Sequence, residues 1–158
     1  MIESKELKRR MSEFTELSRE RGIKVTPQRL AVYRIVLASE SHPGPEEVYR
    51  KIRREFPSIS LDTVYRTLWL LTELGLVNTV GPRRESVRFD ANLGRHHHFE
   101  CVRCGAIRDF VNRELDALQT PPEASAFGRP ESMRVEVRGV CADCLAKEEA
   151  LNQQQQDR

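Results

Sequence analysis

Two cysteine pairs with the same internal spacing constrain this chain more than any other feature. They are Cys101-Val-Arg-Cys104 and Cys141-Ala-Asp-Cys144, and the chain has no cysteine outside them. Two intervening residues let both thiolates of a pair reach one ion, and four thiolates form the closed tetrahedral site of a structural zinc. A redox dithiol and a chance spacing are the alternatives. We therefore predict that the second half of the chain folds around Zn²⁺.

The distance between the two pairs also carries information. The 36 intervening residues exceed the usual zinc-ribbon spacing, which predicts an inserted strand and helix before the second pair. The amino terminus has no apolar run of signal-peptide length, and no segment has the length and apolarity of a membrane-spanning helix. We therefore expect a cytoplasmic protein without a membrane partner, in which cysteines bind metal more often than they form disulfides.

Charge is distributed unequally along the 158 residues. Residues 1–88 contain 17 Lys and Arg against 12 Asp and Glu, whereas residues 89–158 contain 9 against 12. A net charge of +5 suits a nucleic-acid-binding domain, although it also fits an ordinary solvated surface. We predict a DNA-binding domain over residues 1–88, a metal-binding domain over 89–148, and a disordered tail over 149–158, where NQQQQDR has low complexity.

The first 88 residues have the pattern of four helices followed by a hairpin. Apolar spacing and stop residues predict a helix over residues 3–21, and Thr-Pro, Gly-Pro and Ser signals open the next three. Two short β-rich runs follow, separated by a basic turn. A hairpin after the helices is typical of a winged helix-turn-helix. The later predicted elements are helices from Thr26 to Val36, Gly44 to Pro57 and Ser60 to Gly75, and strands Leu76–Val80 and Ser86–Phe89.

The helix after Ser60 has two faces. Its apolar residues Leu61, Val64, Leu68 and Leu71 share one side, and Thr63, Arg66 and Thr67 are expected to project from the other. In a winged helix this polar side enters the major groove, although a solvated surface explains it equally well when the helix is considered alone. The candidate DNA contacts are Arg29, Thr63, Tyr65, Arg66, Thr67, Arg83 and Arg84.

A histidine triplet precedes the first cysteine pair. On a strand, His96 and His98 point to one face and His97 to the other. Two imidazoles on one face can bind a divalent metal, and a polar surface run is the alternative. Asp90 and Asp109 are nearby carboxylates, and an acid inside a buried strand at 109 needs a partner. Together they offer nitrogen and oxygen ligands suited to Fe(II), Mn(II) or Zn(II).

With these motifs in order, the sequence resembles the ferric uptake regulator superfamily from Lys5 to Cys144. The resemblance implies an α+β chain, with a winged helix-turn-helix domain followed by a small α/β dimerisation domain that carries the four-cysteine zinc site. It also implies a homodimer on a palindromic, A/T-rich operator in double-stranded DNA, and a regulatory metal site of His42, Asp90, His96, His98 and Asp109. The resemblance is carried by Val25-Thr-Pro-Gln-Arg29, His42-Pro, Ser60-Leu-Asp-Thr-Val-Tyr-Arg-Thr67, Arg88-Phe-Asp90, His96-His-His98 and Gly139-Val-Cys141.

Within the superfamily, the residues at the candidate metal sites favour peroxide over zinc or iron as the signal that the protein senses. Zinc-uptake regulators commonly use a further cysteine, which this chain lacks, and Asp at both 90 and 109 resembles peroxide-responsive regulators. Arg95 and Ser132-Met133 stand where iron sensors often place histidines of another site. The resemblance implies a repressor in which Fe(II) or Mn(II) is the regulatory ion, and in which peroxide oxidises His42 or His96 and releases DNA. Arg66 resembles the iron regulators, so repression of iron-acquisition genes is the alternative.

Two further classes of function have weaker support. His98-Phe-Glu100 matches part of a zinc deaminase signature, but that signature needs a PCxxC motif, and neither cysteine pair follows proline. Four thiolates also leave no open position for a substrate on the zinc ion. We therefore expect a protein that is not an enzyme. A zinc-dependent interaction module that binds no DNA is the remaining alternative.

Overall fold

The computed structural model describes residues 3–81 and 87–156, with side chains to residue 153. Arg83 and Arg84, the two candidate wing contacts, lie outside the described residues. The chain divides after Leu93 into two compact units, residues 1–93 and 94–158. The sequence predicts this division after Arg88, but the strand Arg88–Asp90 crosses that point and pairs within the first unit, so the division falls further along the chain.

Four helices build most of the first unit: α1 (Ser4–Glu20), α2 (Pro27–Leu37), α3 (Pro45–Ile52) and α4 (Leu61–Glu73). Both predicted side-chain caps are present, because Thr26 Oγ1 accepts from the Arg29 N–H at 3.3 Å and Ser60 Oγ accepts from the Thr63 N–H at 3.1 Å. Helix α3 ends at Ile52, before the predicted end at Pro57. The residue preceding a proline is disfavoured in helical conformation, so the helix has to end before Pro57.

A short hairpin follows the helices, as predicted. Strand β1 (Asn78–Val80) pairs antiparallel with β2 (Arg88–Asp90), with Thr79 opposite Phe89. Phe89 is fully buried, so the hairpin is anchored in the core of the first unit. The core side chains that come from the helices alternate with exposed ones at helical spacing. They include Phe14, Val32, Tyr33, Val36, Val48, Ile52, Val64, Leu68 and Leu71.

The second unit is built on a three-stranded sheet. Its strands are β3 (His97–Cys101), β4 (Ile107–Phe110) and β5 (Glu136–Gly139), in the order β4-β3-β5. Strand β3 is antiparallel to β4 and parallel to β5. The long connection to β5 contains α5 (Arg113–Asp116) and α6 (Pro122–Ser125), so the predicted strand and helix between the cysteine pairs are confirmed.

The last helix, α7 (Ala142–Gln156), begins between Cys141 and Cys144 and continues past residue 149. The predicted disordered tail therefore differs from the structure over residues 149–156. Alanine, leucine and glutamine all favour helix, so a low-complexity end can extend an existing helix without further packing. Within residues 3–81 and 87–156, no helix combines the length and the apolar character needed to cross a membrane.

Candidate metal centres

The four cysteines converge in the second unit. Their sulfur atoms all lie within 4.8 Å of one another, with Sγ–Sγ distances of 3.9 Å between Cys101 and Cys144 and 3.7 Å between Cys104 and Cys141. The sheet explains this convergence, because Cys101 ends β3 directly opposite Gly139, the last residue of the parallel strand β5. The second pair follows at once and opens α7. Four sulfurs at these separations fit a closed tetrahedral zinc site.

The charge state of the cluster also suits a cation. The N–H groups of Cys104 and Cys141 lower the pKa of the Cys101 thiol to about 6, and the Cys141 N–H lies 3.3 Å from that sulfur. Hydrogen bonding to the Cys141 and Cys104 sulfurs raises the pKa of Cys144 to about 12. Without an ion the cluster therefore favours one thiolate and retains a proton elsewhere. Zn²⁺ stabilises the thiolates together by displacing such protons.

A buried histidine–carboxylate pair lies in the first unit. His42 and Asp90 are each 4% exposed, and His42 Nε2 is 3.6 Å from Asp90 Oδ1. Asp90 Oδ1 also accepts the Asn92 N–H at 2.7 Å. His42 has φ +50°, which is uncommon for a residue other than glycine and indicates a backbone held in place by its surroundings. These two residues are thus oriented toward each other in a site shielded from water.

Two histidines and one carboxylate lie together in the second unit. Nε2 of His96 is 3.0 Å from Nε2 of His98, and Asp109 Oδ1 lies 3.8 Å and 3.4 Å from these two nitrogens. Asp109 is opposite His98 in the β3–β4 register, which explains why residues so distant in sequence meet. Its side chain is 35% exposed, so Asp109 lies at the surface of the sheet rather than in a buried strand.

One hydrogen bond prepares His96 for metal binding. Its Nδ1 lies 2.7 Å from the Gly94 carbonyl oxygen, which can only accept, so Nδ1 carries the proton. In the neutral ring the lone pair is then on Nε2, the nitrogen that faces His98 and Asp109. Such an outer contact is typical of metal-binding histidines. His97 points to the other side, as alternation predicts, and its Nε2 lies 3.3 Å from Asp116 Oδ1.

The candidate DNA contacts on α4 differ in their environments. Arg66 is exposed and its Nε lies 2.8 Å from Asp62 Oδ2. The Tyr65 hydroxyl donates to Glu46 Oε1 at 2.7 Å, and this hydrogen bond raises the pKa of Tyr65. Thr67 is only 2% exposed and donates to the Thr63 carbonyl.

The prediction that Thr67 projects from the polar face is therefore wrong. Position 67 is three residues after Val64 and so falls on the buried side of the helix. On α2, the Arg29 guanidinium donates to the Lys24 carbonyl oxygen at 2.6 Å. The acidic partner of Arg66, Asp62, lies four residues before it on the same helix, a spacing that indicates such a pair. The partner of Tyr65 could not be found in this way, because Glu46 comes from a different helix.

Comparison with known proteins identifies relatives along most of the chain. The profile of the "Ferric uptake regulator family" matches residues 20–137. The peroxide-responsive repressor PerR of Staphylococcus aureus strain Mu50 is 32% identical over 146 residues, which cover 92% of this chain and 99% of the relative. The aligned stretch therefore spans parts of both units.

Solved structures have the same architecture. The ferric uptake regulator of Helicobacter pylori is 24% identical and superposes with a TM-score of 0.76 over 88% of this chain and 93% of that one, which shows the fold. The ferric uptake regulator of Francisella tularensis, determined with iron, is 27% identical with a TM-score of 0.66, over 78% of this chain and 96% of its own. The predicted α+β class, with a helical first part and a small sheet domain, is confirmed.

Proposed function

Because this chain belongs to the ferric uptake regulator family, we propose that it is a metal-dependent repressor that senses hydrogen peroxide and then releases DNA. The observation that carries this proposal is the ligand chemistry: both acidic candidates, Asp90 and Asp109, are aspartates that face histidines. The full-length similarity to a peroxide-responsive repressor supports the same signal.

In this proposal one divalent ion takes ligands from both units. His42 and Asp90 come from the first unit, and His96, His98 and Asp109 come from the second. Support comes from the arrangement within each unit, where the donor atoms already face one another at 3.0–3.8 Å. Imidazole nitrogens and carboxylate oxygens together suit Fe(II) and Mn(II). The four cysteines hold Zn²⁺ separately, as a structural ion.

Occupancy of this site then controls DNA binding. An ion held by both units fixes the angle between them, and in a homodimer that angle sets the spacing of the two α4 helices on a palindromic, A/T-rich operator. We assign base and phosphate contacts to the exposed polar face of α4. Arg29 and the two arginines of the predicted wing, Arg83 and Arg84, are assigned contacts to DNA phosphates that position the protein on the duplex. The candidates on α4 are Thr63, Tyr65 and Arg66.

Peroxide sensing follows from the choice of ligands. An Fe(II) ion held by these residues would activate hydrogen peroxide, so that one peroxide oxygen would add to a carbon of a nearby imidazole and the other would leave as water. His42 and His96 are the rings we assign to this reaction. An oxidised ring no longer presents the same lone pair, so the two units lose their common ligand set and the operator is released.

The test uses protein loaded with Fe(II) without oxygen and then exposed to hydrogen peroxide. We expect the peptides containing His42 or His96 to gain the mass of one oxygen atom, and operator binding in a gel shift to fall in parallel. The same protein loaded with Mn(II) is the control and should retain its mass and its operator. Peroxide that releases DNA from the Fe(II) protein without modifying either histidine contradicts the proposed chemistry.

Iron sensing is the second candidate function, and Arg66 favours it because this residue resembles the iron regulators. A ferric uptake regulator represses iron-acquisition genes whenever Fe(II) is bound. Under this alternative, the Fe(II) protein keeps both unmodified histidines and its operator after the peroxide treatment. Removal of Fe(II) by a chelator then releases the DNA.

A further inference from the structure

Arg10 is a buried cation that the proposed metal and DNA chemistry does not use. It lies on α1 and is 8% exposed. Its Nε donates to the Tyr33 hydroxyl at 3.0 Å, and its Nη2 donates to the carbonyl oxygens of Leu76 at 2.9 Å and Ala91 at 3.1 Å. A buried guanidinium is costly unless its donors are satisfied, so this set of bonds defines one position for the side chain.

The Ala91 carbonyl belongs to the turn that carries Asp90. Asp90 Oδ1 accepts the Asn92 N–H at 2.7 Å and lies 3.6 Å from His42 Nε2. The bond from the Asn92 N–H to the Asp90 side chain closes an Asx turn, and Ala91 is its middle residue. A hydrogen bond to the Ala91 carbonyl therefore restrains the backbone of this turn, and with it the orientation of the Asp90 carboxylate. The same guanidinium also binds Leu76, which precedes the hairpin.

We propose that Arg10 is a positioning residue for Asp90, and that α1 thereby contributes to metal affinity at the regulatory site. This inference rests on the proposed function for Asp90 as a metal ligand. In this scheme Arg10 acts through the backbone, because it holds the Ala91 peptide so that the carboxylate faces His42. Partners that orient a ligand from outside the coordination shell commonly change metal affinity 10- to 100-fold when they are removed.

The test compares two variants, one without and one with the hydrogen bond to the Ala91 carbonyl of the Asp90 turn. Arg10→Met removes both carbonyl bonds and keeps an aliphatic side chain in the core. Tyr33→Phe, the matched control, removes only the hydroxyl and leaves the bonds to Leu76 and Ala91. Amide hydrogen exchange at Asn92, measured without regulatory metal, reports the turn directly, and a Mn(II) titration reports the site.

For Arg10→Met we expect exchange at Asn92 to accelerate and the dissociation constant for Mn(II) to rise about 10- to 100-fold. For Tyr33→Phe we expect both quantities to stay near the wild-type values. Arg10→Lys, which can reach one carbonyl, should fall between them, and it provides the same comparison if Arg10→Met does not fold. Equal Asn92 protection and equal Mn(II) affinity in the arginine and tyrosine variants overturn the proposal.

The two readouts also separate this inference from the proposed function. Exchange at Asn92 is measured without metal or DNA, so it tests the restraint by Arg10 even if wild-type protein binds no Mn(II). In that case the proposed regulatory site is wrong while the positioning of the turn stands. Normal Asn92 exchange in Arg10→Met, with Mn(II) binding to the wild type intact, leaves the site and removes the role of Arg10.

Discussion

Arg66 and Tyr65 are neighbours on α4, and a carboxylate of the first unit holds each of them. The Asp62 carboxylate forms an ion pair with Nε of Arg66, so the two terminal Nη groups remain available for end-on hydrogen bonds to a guanine edge. The Glu46 carboxylate accepts a hydrogen bond from the Tyr65 hydroxyl. An exposed ion pair within one helix contributes little to stability, so we expect the Asp62 contact to matter mainly for the orientation of Arg66.

Replacing Asp62 by Ala should therefore reduce sequence discrimination more than stability. Without the Asp62 carboxylate, the Arg66 side chain is no longer held in one orientation. The loss of a negative charge also raises the affinity for DNA of any sequence, because DNA phosphates are negatively charged. We expect the ratio of operator to scrambled-duplex affinity to fall about tenfold, measured by fluorescence anisotropy at one salt concentration. Glu73→Ala, which removes a carboxylate from the last residue of α4, is the control. The same ratio in both variants would contradict a bracing role.

Residue-scale prediction from sequence succeeded where the determining contact is local. The caps at Thr26 and Ser60 involve neighbours three residues away, and the cysteine pairs carry their own ligand spacing. Thr67 was assigned to the wrong face because a helix has no sharp boundary between its faces. Arg10 gave no signal at all, since its carbonyl partners lie 66 and 81 residues away.

At the scale of elements, the five-residue strand β3 connects the two metal groups of the second unit. His98 near its beginning faces Asp109 on β4, and Cys101 at its end faces Gly139 on β5. The sequence shows alternation along β3 but not the register of its neighbours. For β5 in particular, the parallel pairing depends on a connection of more than 20 residues, so the second cysteine pair could be predicted as a ligand pair but not placed.

The cysteine cluster leads to a prediction for this sheet. Cys141→Ser removes one thiolate and opens the closed site, so the beginning of α7 loses its attachment to the end of β3. We expect zinc to be lost, as measured by elemental analysis, and the proposed dimer to dissociate in sedimentation velocity. Asp143→Ser, a change at an exposed residue between the two cysteines of the pair, should keep both. A zinc-loaded dimer of the Cys141 variant contradicts a structural four-cysteine site.

At the scale of the whole molecule, the proposed regulatory site cannot be derived from local patterns. His42 and His96 belong to different compact units, and nothing in the spacing of His42 indicates a ligand. Only the family resemblance joined it to the second unit. Within each unit, part of the proposed ligand set is already oriented. The free energy of ion binding can therefore stabilise one arrangement of the two units. A site formed wholly within one unit would leave the α4 helices unaffected by the ion.

This bridging arrangement predicts that Mn(II) stabilises the first unit through a ligand of the second. At a Mn(II) concentration of about 100 times its dissociation constant, binding contributes about 2.7 kcal/mol to the bound state. We expect amide exchange in the cores of α2 and α4 to slow in the wild type when Mn(II) is added, and Asp109→Ala to abolish that effect.

Arg108→Ala, a change in the exposed neighbour of Asp109 on β4, serves as the matched control and should respond to Mn(II) like the wild type. Protection of α2 and α4 that persists in Asp109→Ala contradicts Asp109 as a ligand through which the ion stabilises the first unit, because only His96 and His98 of the second unit's proposed ligands then remain. The proposed five-ligand site would then be wrong. Loss of protection in Asp109→Ala, with protection retained in Arg108→Ala, is the result that a bridging ion requires, because an ion held by both units transmits the removal of a ligand in one unit to the other.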